Sequence, residues 1–240
     1  VVIPFPIVEA CGTGKPTSPT GRQDGDVPVR PISIDGLLTE LADTIAASSP
    51  GRSLRVAVDG APPTRPGALA DGLVDPVRLR GRQVLRVRAE DFLRPASLRF
   101  ERGRTDPDSF YDDRLDTGGL AREVLAPLAP GGTGRVLPSL WDAEADRASR
   151  AGYVTLPPGG VVVVDGALLL GRGLEFDLTV HLALSPAALE RQVADEDRWT
   201  LPAYARYAAE VAPERTADVV VRMDHGNRPA VLHNRAYDNA

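Results

Sequence analysis

A chain of 240 residues carrying a formal charge of -5 has room for one domain and no basic excess with which to hold a nucleic acid. Its 42% hydrophobic content suffices for a buried core, but apolar runs such as Val161–Val164 are far too short to span a bilayer. The single cysteine, Cys11, excludes a disulfide framework, and His181, His225 and His233 lack metal-ligand spacing. The start of the sequence has neither the basic segment nor the apolar core of a signal peptide, so a cytoplasmic location is expected. Only Lys15 among 28 Lys and Arg is lysine. With many Ala, Gly and Pro, this composition suggests a GC-rich bacterial coding sequence.

Residues 1–32 read as an irregular leader, rich in proline and without a sustained period. Its Gly12-Thr-Gly-Lys15 lacks the glycine and the following helix that a phosphate loop needs, because Glu9 and Pro16 stand there. A helix is expected over Asp35–Ser48, with Asp35 as N-cap and Leu38, Leu41, Ala42 and Ile45 on one face. Leu54–Val58 reads as a strand, Ala68–Val74 as a short helix and Val84–Val87 as a second strand. A polar stretch over 94–116 is followed by a helical pattern at Leu120–Leu128, which Pro130-Gly131-Gly132 closes. Residues 133–160 look irregular. Val161–Val164 is the pattern of a strand covered on both faces. Leu178–Leu184 is a further strand, Pro186–Glu196 and 202–211 are helices, and Ala217–Val221 is a last strand. Strands alternating with helices imply a parallel sheet with helices on both faces, occupying 33–230, with 231–240 as a tail.

Ligands of such sheets sit beyond the carboxyl ends of the strands. Asp59 and a Gly/Pro loop follow the first strand, Glu90-Asp91 the second, and Asp165-Gly166 the valine run. One acid at a strand end is commonly a turn residue or a cap. Three suggest a shared site.

Several segments carry a resemblance to one family: Val56-Ala-Val-Asp-Gly60, Glu90-Asp-Phe-Leu-Arg-Pro95, Phe110-Tyr111, Pro127-Leu128, Val164-Asp-Gly166 and Arg215-Thr-Ala-Asp-Val-Val-Val221. In this order over about 30–230, the chain resembles the uridine kinase family of P-loop kinases. The resemblance implies a P-loop NTPase-like fold, ATP and Mg2+ as cofactors, and phosphoryl transfer to a nucleoside or similar small hydroxyl compound. It places Glu90 as the acid that accepts the substrate proton and Asp165 as the acid that positions Mg2+. Gly60, Thr64, Arg65 and Gly67 fall in the phosphate loop, and Arg191 and Arg198 in the lid over the phosphates. Asp116 falls at the ribose hydroxyls and Trp141 near the base.

The loop departs from the family pattern of Gly, four residues, Gly, Lys and Ser or Thr. From Gly60 onward, Arg65 stands at the second glycine, Pro66 at the lysine and Gly67 at the hydroxyl. Pro66 supplies neither a cation nor an N–H, and Gly67 supplies no metal ligand. Two readings stay open. Arg65 replaces the lost charge, or the segment is a turn that holds no phosphate and the protein is a catalytically silent binding or interaction module. Asp195 replaces an expected lid arginine, and arginines on such helices are often simply solvated. Trp141 fits a core role as well as a stacking one.

Overall fold

The computed structural model describes residues 29–48, 51–226 and 228–235. The stretch 1–28, with Gly12–Lys15 and Cys11, lies outside the described residues. Seven strands form the main sheet: β1 (Arg30–Pro31), β2 (Leu54–Gly60), β3 (Val84–Arg88), β4 (Val161–Gly166), β5 (Leu178–Ala183), β6 (Val219–Arg222) and β7 (Ala230–Asn234). Their spatial order is β1-β7-β6-β5-β2-β4-β3. The five strands from β6 to β3 are mutually parallel, and β7 runs antiparallel to both β6 and β1.

The parallel strands are apolar because helices or loops cover both sheet faces. Val161 and Val163 of β4 face α1 (Ile34–Ala47) and α2 (Pro66–Leu79), while Val162 and Val164 face Phe92, Leu120 and Val124. Farther along this second face lie α3 (Pro107–Asp112), α4 (Pro186–Gln192) and α5 (Leu201–Glu210). There Ala57 of β2 packs with Ala203, Tyr204 and Tyr207 of α5.

Several boundaries differ from those the sequence suggests. Ser33, not Asp35, caps α1, its hydroxyl accepting from Gly36 N–H at 3.0 Å. Helix α2 runs on through Pro76, which reads as a breaker in the sequence. Burial of Leu69, Ala70, Leu73 and Val77 on one stripe outweighs that lost hydrogen bond. The pattern at 120–128 divides into a π turn and a 3-10 turn at Pro127, and Pro186–Glu196 divides at Val193. Two-stranded ribbons, Arg135–Val136 with Val154–Thr155 and Trp141–Asp142 with Arg147–Ala148, order the stretch read as irregular. The domain also exceeds the 33–230 bounds. β1 lies in the expected leader, and β7 enters the expected tail. β1 is too short to show a period, and β7 is recognisable only by its pairing with β6.

The amino ends of the strands are held by charge. Arg55 donates to Asp177 Oδ2 from both its backbone N–H and Nε at 2.9 Å, and Arg52 Nη2 donates to Oδ1 at 2.6 Å. Burial alone would raise the Asp177 pKa, but the hydrogen bonds from Arg55 outweigh it and hold the carboxyl below its ordinary 3.8. A depressed carboxyl pKa contributes stability that is full above the unfolded value and is lost as pH falls through the folded one. Asp177→Asn should therefore cost about 2–3 kcal/mol near neutral pH, because it leaves the largely buried Arg55 with only the exposed Glu175 as counter-charge. Urea unfolding across pH is the check: the gap between wild type and variant should narrow below about pH 4. A gap constant with pH would show that the carboxylate charge contributes nothing.

Candidate functional site

Strand direction brings the three expected acids to one edge. Asp165 on β4 lies opposite Val58 of β2 and Arg88 of β3, and Asp59 lies opposite Gly166 and His181. Glu90 follows β3 in a 3-10 turn, Ala89–Phe92. The loop between β2 and α2 is a 3-10 turn, Pro62–Thr64, followed by Arg65 in the left-handed region at φ 57.

Inward close approach explains Gly60. A Cβ there would stand 2.5 Å from Thr64 Oγ1 and 2.9 Å from Leu182 Cβ. Thr64 is buried, and its hydroxyl donates to Ala61 O at 2.7 Å. That hydroxyl fastens the turn and does not point out of it. The backbone donors are spent in the same way. Thr64 N–H goes to Ala61 O and Arg65 N–H to Pro62 O, at 2.8 and 2.9 Å. Pro62, Pro63 and Pro66 have no N–H. Ala61 and Gly67 alone in this loop keep an N–H that the turn does not use.

The metal end of the site is filled by an arginine that the sequence reading did not select. Arg86, in the middle of β3, donates from Nε to Asp165 Oδ1 at 2.7 Å and from Nη2 to Oδ2 at 3.0 Å. Its Nη1 reaches Asp71 of α2 at 2.6 Å. Hydrogen bonding to Asp165 raises the Arg86 pKa well above its usual value, so the cation is permanent. A Cβ on Gly67 would meet Arg86 Nη2 at 2.7 Å and Asp165 Oδ2 at 3.1 Å. Any side chain at position 67 would have to displace this guanidinium. Among the described residues no group of three or more His, Cys, Asp or Glu could hold a metal ion. The residues present do not fit Mg2+ and a triphosphate: both Asp165 oxygens are engaged, the hydroxyl is missing and the loop offers few N–H groups.

The Arg65 side chain is exposed and forms no hydrogen bond or ion pair among the described residues. Glu90 is likewise exposed and unpaired. It lines a small cleft of about 60 Å³ with Pro62, Tyr111, Arg114 and Arg172. Tyr111 is clamped between Arg172 and Arg206, whose guanidinium carbons lie 4.4 and 4.2 Å from its ring centre, and its hydroxyl donates to Glu210. Arg172 also donates to Tyr111 O.

None of the remaining candidates lines this cleft. Asp116 caps the turn Thr117–Leu120, accepting from Gly119 N–H at 2.8 Å. Trp141 sits on its ribbon and donates from Nε1 to Asp146 at 3.2 Å. Arg198 pairs with Glu190 at 3.0 Å, and Arg191 is exposed in the last turn of α4. Neither arginine is bonded to the loop.

The sheet order and the helices on both faces give a P-loop NTPase-like α/β fold. Solved structures share it: a possible uridine kinase from Bacillus stearothermophilus matches at 21% identity and a TM-score of 0.62, over 76% of this chain and 96% of that one. A candidate fructose transport system kinase from Silicibacter sp. TM1040 matches at 22% identity and a TM-score of 0.54, over 72% of this chain and 95% of that one. No family model and no curated protein matches the chain. No described helix is long and apolar enough to cross a membrane.

Proposed function

We propose that this kinase-fold protein seats the hydroxyl of a small compound, a nucleoside or similar, in the Glu90 cleft, with the rest of the compound outside it, and does not transfer phosphate to it from Mg2+-ATP. The observation that carries this reading is the Arg86–Asp165 pair seated against Gly67. Phosphoryl transfer is almost wholly positioning and electrostatics, and this loop has exchanged its cation, its hydroxyl and most of its N–H groups for a closed turn. The acceptor side keeps an unpaired carboxylate and two arginines around one cleft.

The alternative, an active kinase, draws on Arg65. A non-glycine residue in the left-handed region costs about 1–2 kcal/mol, and such strain is commonly kept where a side chain is used. Its exposed guanidinium could meet phosphate oxygens. A calorimetric titration with Mg2+-ATP separates the readings. Binding no tighter than about 1 mM, the weak end of the affinity scale, is the expected result. Tight, Mg2+-dependent binding that Arg65→Ala weakens by about 1.5–3 kcal/mol would establish the kinase instead.

A further inference from the structure

A second and larger cavity lies beside the loop, on the sheet face that α5 covers. Its volume is about 720 Å³, in the range of small-molecule sites. Leu168 and Tyr204 stand between it and the Glu90 cleft, lining both. Its walls are apolar: Leu182, Leu184, Leu189 and Leu201, with Ala205 and Ala208 of α5.

A buried polar cluster forms part of its lining. Asp59 is wholly inaccessible to solvent. It accepts from Leu169 N–H at 2.9 Å, from the Tyr207 hydroxyl at 3.0 Å, and from His181 Nδ1 at 2.7 Å. Burial, and then the Asp59 charge, push the Tyr207 phenol far above its ordinary pKa, so it remains a hydroxyl donor. With the Asp59 carboxylate taking donors on both oxygens, His181 Nδ1 carries a proton towards it, and Nε2 is the ring nitrogen left for another partner.

Nε2 has no partner among the described residues. His181 is only 8% exposed, yet Nε2 is not one of the sealed, unpaired side-chain atoms, which are Ser109 Oγ and Arg222 Nε. The ring lines the cavity, so the space open to Nε2 is the cavity itself. A ring nitrogen that opens onto an apolar chamber offers a ligand a single polar anchor, the arrangement of small-molecule sites. The walls select which kind. A charge carried into an apolar chamber without a counter-ion costs far more than a hydroxyl, and the mouth acids Glu190 and Glu214 are already paired with Arg198 and Arg222. An uncharged molecule is therefore favoured.

We propose that this cavity is a binding site for a small, uncharged, largely apolar molecule bearing a hydroxyl group, which hydrogen-bonds to His181 Nε2 while Asp59 holds the ring in place. The site adjoins the Glu90 cleft across Leu168 and Tyr204, and none of its polar contacts comes from the phosphate loop.

Three probes of one ring size test it: 2-naphthol, naphthalene and 2-naphthoate, each titrated by fluorescence into the full chain. Wild-type protein should bind 2-naphthol about tenfold or more tighter than either of the others, the scale of one hydrogen bond to a polarised group. His181→Asn keeps a donor near the Nδ1 position and deletes Nε2. It should bind 2-naphthol no better than naphthalene. Ala208→Phe fills the mouth from an exposed position on α5 and should weaken all binding, which keeps the test decisive if His181→Asn does not fold. The proposal is overturned if wild type binds none of the probes, if naphthalene or 2-naphthoate equals 2-naphthol, or if His181→Asn retains the preference.

Discussion

Changing Arg65-Pro66-Gly67 to Gly-Lys-Thr is expected to leave Mg2+-ATP binding undetectable while Arg86 is present. Adding Arg86→Ala to the same three changes should then produce binding, a gain of at least about 100-fold from several charge-assisted hydrogen bonds made together. The reason is steric as well as electrostatic. A side chain on position 67 meets the Arg86 guanidinium at 2.7 Å, and that guanidinium is anchored by Asp165 and Asp71. Truncating Arg86 removes the obstacle and returns both Asp165 oxygens to the site. Calorimetry on the triple and quadruple variants is the check. Tight binding by the triple variant alone would show that Arg86 yields readily and does not close the site. No binding by the quadruple variant would place the block in the proline-rich turn, where Pro62 and Pro63 withhold two N–H groups.

The largest effect on stability should come from Arg82→Met. Arg82 lies between α2 and β3 and is buried, with no carboxylate pairing to it among the described residues. Burial accordingly lowers its pKa. Its guanidinium donates instead to three carbonyls: Gly159 O at 2.9 Å, Ile45 O at 2.7 Å and Arg52 O. Ile45 is in the last turn of α1, where carbonyls lack helical partners and a cation is favoured. One side chain thus ties α1, the approach to β2 and the turn before β4. Methionine matches the stem but leaves three acceptors without this donor. The expected loss is about 3–4 kcal/mol, or a melting temperature lower by about 10 °C for a domain of this size. Arg78→Met, on the exposed side of α2, should change stability by no more than about 0.5 kcal/mol. Equal melting of the two variants would mean that the carbonyls find water at no cost.

The sequence alone was enough to establish the parallel sheet and the common edge of Asp59, Glu90 and Asp165. Apolar runs of strand length alternated with helical periods, and right-handed crossovers leave little choice but to point such strands one way. The loss of lysine, hydroxyl and N–H groups from the loop was equally legible, because it is a matter of residue identity. Helix α2 beyond Pro76 was not, since burial of Val77 overrode a local breaker. Nor was strand β7, whose pairing partner is needed to define it. Arg86 gave no signal: it is one arginine of several in a strand, and its partner Asp165 lies 79 residues away. His181 did offer a hint, as a polar residue within the apolar run Leu178–Ala183. Its meaning came only with Asp59, 122 residues distant. Periodicity and residue type are local and survive in one dimension. Which cation neutralises a given buried acid depends on the register between neighbouring strands, and tertiary structure alone decides that.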